Sequence, residues 1–209
     1  MALSSPSWEC TASWDDRGDE IHGELVFPGS RHIPFASLSP EVEARTITLT
    51  SASKAFNIAG LRCAVAIFGS EELRKRFLAC PRHLRGGLGS LGIAATEVAW
   101  RDSQPWLDEV LVYLETNREL VAEFIASELP GVRCFPPEAT YLAWLDCREI
   151  GLEPSPYEFF LSRAKVALSD GSAFGGPGRG FVRLNFATSR PILSEALRRM
   201  AEAFRGRPI

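Results

Sequence analysis

A chain of 209 residues is long enough for one sizeable core or two small domains, and its 45% hydrophobic and 23% charged residues are ordinary for a globular protein. The formal net charge of −3 offers no basic surplus for nucleic acid or an anionic membrane surface, and no apolar stretch approaches the roughly 20 residues that span a bilayer. Cys10, Cys63, Cys80, Cys134 and Cys147 are odd in number and lack CxxC spacing, and His22, His32 and His83 do not cluster, so a disulfide framework and a metal site are both unexpected and a reducing, cytoplasmic setting is expected.

In chain order, residues 1–18 show neither a period of 2 nor one of 3.6, are rich in turn formers, and read as irregular. The N-terminus also lacks the basic and then apolar pattern of a signal peptide. Glu24–Gly29 reads as a short extended piece ending in a turn. Arg45–Thr50 is dense in β-branched residues and reads as a buried strand leading into Ser51-Ala52-Ser53-Lys54, and Cys63–Phe68 is a second apolar run of strand length. Ser70, followed by Glu71 and Glu72, marks a helix start, and that helix ends near Pro81.

Beyond the flexible Gly86–Ser90 stretch, Leu107, Val110, Leu111, Leu114, Val121, Phe124 and Ile125 recur at spacings of three and four, the pattern of a long amphipathic helix that Pro130-Gly131 ends. Short strands follow at 132–135, 141–145 and 181–186, with helices around 157–165 and 191–204. The expected layout is a small sheet covered by helices. The organisation expected is an irregular segment 1–18, a first domain 19–109 and a second domain 110–209.

Lys54 carries the chemistry. It follows a buried-type strand and precedes the apolar Phe56, Ile58 and Leu61. A desolvated ammonium gives up its proton more readily, as a Schiff-base lysine must. Ser51 and Ser53 offer hydroxyls beside it, and Arg62 offers a fork suited to phosphate. Aldehyde capture by lysine, with hydroxyls and an arginine for a phosphate, is what a pyridoxal 5′-phosphate (PLP) site must supply. Asp19, well before the lysine, could sit as a buried carboxylate against a pyridine nitrogen. Arg183 alternates with apolar residues in the last strand and could clamp a substrate carboxylate or simply face water.

Asp19-Glu20-Ile21-His22, then Ser51–Arg62, then Val182–Ala187, in this order and spacing, resemble the class I/II aminotransferases of PLP fold-type I. The wording is most similar to their C–S β-lyase branch, the cystathionine β-lyase-like proteins. The resemblance implies an α/β fold: the C-terminal part of a large domain with a mixed sheet, then a small α+β domain. It implies that Lys54 forms the Schiff base and shuttles the α-proton, that Asp19 pairs with the pyridinium, and that His22 stands near the cofactor's 3′-oxygen. Ser51, Ser53 and Arg62 would hold the phosphate, Arg183 the α-carboxylate, and Tyr141 would lie near the site.

Family members are about twice as long and form homodimers. The glycine turn for phosphate, the ring stacked on the pyridine and the asparagine to the 3′-oxygen have no counterpart here. The segment before Asp19 is too polar for the apolar strand that the family has there. The chain is therefore expected to be the C-terminal half of an enzyme acting on L-amino acids as small-molecule substrates, with an apolar sheet face and open edges exposed. A β-lyase, an aminotransferase and a non-catalytic remnant all remain compatible with these residues.

Overall fold

The computed structural model describes residues 16–207, which divide into two compact units: the first holds residues up to Gly23 and His32–Arg101, the second Glu24–Arg31 and the residues from Asp102 onward.

In the first unit, β1 (Asp16–Asp19), β2 (Thr46–Thr50) and β3 (Val65–Phe68) form a mixed sheet in that order. β1 runs parallel to β2, with Asp19 opposite Leu49, and β3 runs antiparallel to β2, with Thr50 opposite Val65. Residues 16–18, expected to be irregular, thus belong to a strand. Ladder bonds are made by the main chain, so polar residues take part where β2 offers a register. The remaining residues of that segment lie outside those described.

The expected buried strand at β2 is buried only in part. Thr46 and Thr48 are covered, whereas Leu49 on β2 and Val65 and Ile67 on β3 are exposed, the last by 56%. Apolar residues on both faces of a three-stranded sheet are what an incompletely covered sheet leaves in water.

Three α-helices among the described residues belong to this unit. α1 (Pro40–Arg45) is capped by Ser39, whose hydroxyl accepts from Val42 N. α2 (Glu71–Ala79) is capped by Ser70 with Glu71 and Glu72 in its first turn, the start read from the sequence. α3 (Ser90–Asp102) lies so close to the segment after Lys54 that a Cβ on Gly92 would stand 2.4 Å from the Leu61 carbonyl oxygen and 3.3 Å from Cys63 Cβ. Only a residue without a side chain permits that approach.

The second unit is a two-layer α/β arrangement. Its antiparallel sheet has the order β4 (Arg133–Cys134), β5 (Leu142–Asp146), β7 (Phe181–Asn185), β6 (Ser169–Asp170). Val182 and Leu184 on β7 and Ala143 and Leu145 on β5 share one buried face. Leu107, Leu114, Val121 and Ile125 of α4 (Gln104–Glu128) are buried with it, as are Leu193, Leu197, Met200 and Phe204 of α6 (Arg190–Arg205). Each such side chain contributes about 1.5–3 kcal/mol by leaving water.

α4 starts afresh after α3 because Pro105 stands in its first turn, where a proline is tolerated but cannot continue a preceding helix. Asn117, fully buried on α4, donates from Nδ2 to the carbonyls of Phe186 and Thr188, both at 3.0 Å, and so ties the helix to the end of β7. α5 (Pro156–Phe159) runs into a single π-helical turn at Phe160–Ala164. Glu24–Arg31 joins this unit through Phe27 N to Glu138 O at 3.0 Å and Thr140 N to Leu25 O at 2.6 Å, with Val26 bridged to Ala139.

Candidate active site

β1 and β2 are parallel and end side by side, so Asp19 at the last position of β1 and Ser51 just beyond β2 emerge at the same edge of the first unit's sheet. The carboxyl ends of parallel strands are where α/β sheets place their ligand sites, because the loops there are free to carry function. The loop after β2 turns at once: Phe56 N donates to Ala52 O at 3.0 Å and Ile58 N to Ser53 O at 3.1 Å, wrapping one helical turn around Lys54. Ala52, Ala55 and Phe56 are buried and anchor that turn, whereas Lys54 is half-buried. Among the described residues nothing makes a hydrogen bond or ion pair with its ammonium.

Ser51 is nearly inaccessible, and its hydroxyl works inside the chain. It donates to the Cys63 carbonyl at 2.5 Å, accepts from Ser53 N at 3.1 Å and lies 2.7 Å from Ser53 Oγ. This clasp joins the end of β2 to the start of the run into β3. Of the two serines, Ser53 is the one with an accessible side chain.

Between Ser51 and Cys63 the chain reverses through Asn57 (φ 55°) and Arg62 (φ 51°, ψ 51°), both left-handed without being glycine. A β-carbon in that region costs on the order of 1–2 kcal/mol. Arg62 is exposed, and its guanidinium has no partner among the described residues.

Asp19 is exposed, not buried as expected, because no described element covers this end of β1; Ile21 N donates to its Oδ1 at 3.4 Å. His22 is half-buried in the turn that follows. The neighbouring Glu20, which sequence reasoning passed over, holds that turn: Oε1 accepts from Phe35 N at 2.8 Å and Oε2 meets His32 Nε2 at 2.9 Å.

Arg183 and Tyr141 belong to the second unit. Arg183 projects from the sheet face opposite the core, between Trp144 on β5 and Ser169 on β6, its partners in register. Nη2 donates to Ser169 Oγ at 3.4 Å, and the guanidinium carbon lies 4.5 Å from the centre of the Phe174 ring. Among the described residues no carboxylate pairs with it. Elsewhere on this sheet the carboxylate is already engaged: Arg148 donates from Nε and Nη2 to Asp146 at 2.9 and 2.8 Å, and this fork holds the Asp146 carboxyl down to about 2. Tyr141 is half-buried; burial pushes its phenol up, and the positive charge of Arg183 partly offsets that. Trp144, Ser169 and Phe174 surround Arg183 but come from three separate elements, and no local pattern in the sequence gathers them.

Six of the expected site residues, Asp19, His22, Ser51, Ser53, Lys54 and Arg62, therefore lie on the first unit, and Tyr141 and Arg183 on the second. The described residues contain no group of three side chains able to hold a metal ion, and no helix among them is long and apolar enough to cross a membrane.

Residues 18–200 match the family model for aminotransferase class I and II. The chain belongs to that family. Among curated relatives, it is 42% identical over 201 residues to a putative cystathionine β-lyase of Mycobacterium leprae and 39% identical over 187 residues to the cystathionine β-lyase PatB of Bacillus subtilis. Each alignment covers 88% of this chain and 48% of the relative. Among solved structures, a putative PLP-dependent β-cystathionase of Corynebacterium diphtheriae superposes with a TM-score of 0.85 at 41% identity, covering 92% of this chain and 51% of that one. Cystalysin of Treponema denticola, whose structure contains PLP, gives 0.84 at 32% identity over 90% of this chain. The fold is thus the α/β fold of PLP-dependent fold-type I aminotransferases, and the chain spans about half the length of the relatives that it matches.

Proposed function

We propose that this chain carries the lysine-bearing half of a PLP-dependent C–S β-lyase acting on L-amino acids. The observation that carries the reading is Lys54: a half-buried lysine, unengaged among the described residues, on a clasped turn at the carboxyl ends of two parallel strands. The donor set fits the cofactor. An amine is available for the aldehyde, Arg62 and Ser53 expose a guanidinium and a hydroxyl for the phosphate, and Asp19 offers a carboxylate for the ring nitrogen. Ser51, its proton engaged with Cys63, would hold Ser53 in place. His22 would stand by the 3′-oxygen.

The bound cofactor supplies an electron sink at the substrate α-carbon. With the cofactor bound, Lys54 Nζ would take the α-proton, and the electron pair left on Cα would form the second bond between Cα and Cβ as the C–S bond breaks and its electrons leave on sulfur. The protonated Lys54 could return that proton to the departing thiolate, giving the thiol, and hydrolysis of the remaining unsaturated amino acid would yield pyruvate and ammonia. Arg183 holds the α-carboxylate through two parallel N–H bonds, with Tyr141 beside it. We assign the cofactor groups to residues 19–109 and the carboxylate site to 110–209, and infer a homodimeric enzyme working in the cytoplasm, where its thiols stay reduced. An aminotransferase would use the same residues. The identities of 39–42% to cystathionine β-lyases, against 29% to an aspartate aminotransferase of Geobacillus stearothermophilus, favour the lyase.

The test is to add PLP to the purified chain and record the visible absorbance that a lysine adduct gives, with Lys54→Ala as control. A band in the wild type that the variant lacks is expected; absence of any lysine-dependent band would refute cofactor binding by this chain. Pyruvate release from cystathionine, against amino transfer to a keto acid, then separates the two reactions.

A further inference from the structure

We propose that Phe174 is the positioning residue for Arg183, an aromatic plate that fixes the plane in which the guanidinium meets a carboxylate. The inference rests on the reading of Arg183 as the carboxylate site. An arginine side chain is long and flexible, and two-point binding of a carboxylate requires its fork to be held in one plane. A ring lying against the guanidinium does this: it covers one π face, favours the cation electrostatically and leaves the N–H groups at the edge free.

The second unit supplies that ring on a braced mount. Phe174 closes the 3-10 turn Gly171–Phe174. Asp170 caps this turn, accepting from Ser172 N at 3.0 Å and Ser172 Oγ at 2.6 Å. The turn is pressed against the chain that follows: a Cβ on Gly171 would stand 2.3 Å from the Gly178 carbonyl oxygen and 2.7 Å from that of Phe181. The ring itself is backed by others. Phe174 meets Trp144 edge-on, with centroids 5.6 Å apart and planes at 78°, and Trp144 stacks on Phe181 at 5.5 Å and 22°. Ser169 takes a single N–H of the guanidinium, so the remaining donors are left for a ligand. Phe174 is 53% exposed, more than packing alone calls for in a phenylalanine, and its described partners are the guanidinium and the indole.

The experiment uses the full chain labelled with 15N-arginine, with the Arg183 side-chain Nε–H resonance assigned by its loss in Arg183→Lys. Three readings follow: the resting position of that resonance, its movement on titration with acetate against chloride at equal ionic strength, and both again in Phe174→Leu and Phe174→Tyr. In the wild type the resonance should sit upfield, shifted by the ring, and should move with acetate and not with chloride. Phe174→Leu should abolish the ring shift and weaken acetate binding about two- to fivefold, the scale of a partly exposed cation–π contact, and Phe174→Tyr should restore both. Equal acetate affinity in the wild type and Phe174→Leu overturns the role of Phe174 and leaves Arg183 as the carboxylate site. No acetate response in the wild type overturns the Arg183 reading, and this inference with it. A wild-type resonance at its unperturbed position overturns the stacking without recourse to any variant.

Discussion

Position 62 offers a test in which backbone and side chain can be read separately. Arg62 is left-handed, and its exposed guanidinium makes no described contact. Replacing it by alanine keeps the backbone strain and removes the charge; replacing it by glycine removes both. Relief of the left-handed penalty is worth about 1–2 kcal/mol. The extra freedom that glycine brings to the unfolded chain takes back about 0.5–1 kcal/mol. Arg62→Gly should therefore be more stable than Arg62→Ala by roughly 0.5–1 kcal/mol, and the alanine variant should match the wild type, since no side-chain contact is lost. Urea unfolding followed by far-UV circular dichroism measures both differences. Cofactor binding should respond quite differently. Charge-assisted hydrogen bonds to a phosphate are worth about 1.5–3 kcal/mol, so both variants should bind PLP about ten- to a hundredfold more weakly and to the same extent. A glycine variant less stable than the alanine variant would refute the left-handed backbone, and unaltered PLP affinity in both would refute Arg62 as a phosphate ligand.

Two further outcomes are expected. Gly92→Ala sets a methyl group 2.4 Å from the Leu61 carbonyl oxygen, so α3 or the Arg62 turn must shift; a loss of about 1–3 kcal/mol in urea unfolding checks this, and an unchanged midpoint would contradict the close approach. Asp146, held down to about 2 by the Arg148 fork, lies below its ordinary value of 3.8, so the unfolded chain binds the extra proton first as pH falls. That stability is present above about pH 4 and is lost as pH drops towards 2. Thermal melts should show it as a fall across that window, flattened in Asp146→Asn, and an equal slope in both proteins would rule the ion pair out as its source.

Much of the site could be read in the sequence because it is local. Ser51, Ser53, Lys54 and Arg62 lie within twelve residues, and the β-branched run before them and the Ser70 cap after them have short-range causes. The polar strand Asp16–Asp19 could not be read that way, because its pairing depends on a register with β2 some thirty residues later. Nor could the union of Glu24–Arg31 with residues around Ala139, which is made by main-chain bonds that no side-chain pattern announces. The break between α3 and α4 did have a signal, Pro105, which the hydrophobic period running on through Leu107 concealed. The aromatic plate beneath Arg183 is assembled from β5, β7 and a glycine-rich turn, and only the folded sheet brings those pieces together.

The Ser51 hydroxyl, bonded to the carbonyl of Cys63, turns the intervening chain into a closed ring of covalent bonds and one short hydrogen bond. Ends already joined leave few conformations to surrender, so the entropy of presenting Lys54 and Arg62 together is spent when the chain folds and not when a ligand arrives. Lys54 and Arg62 both lie within that ring, so the amine and the guanidinium are tethered to one closed stretch of chain before any ligand arrives.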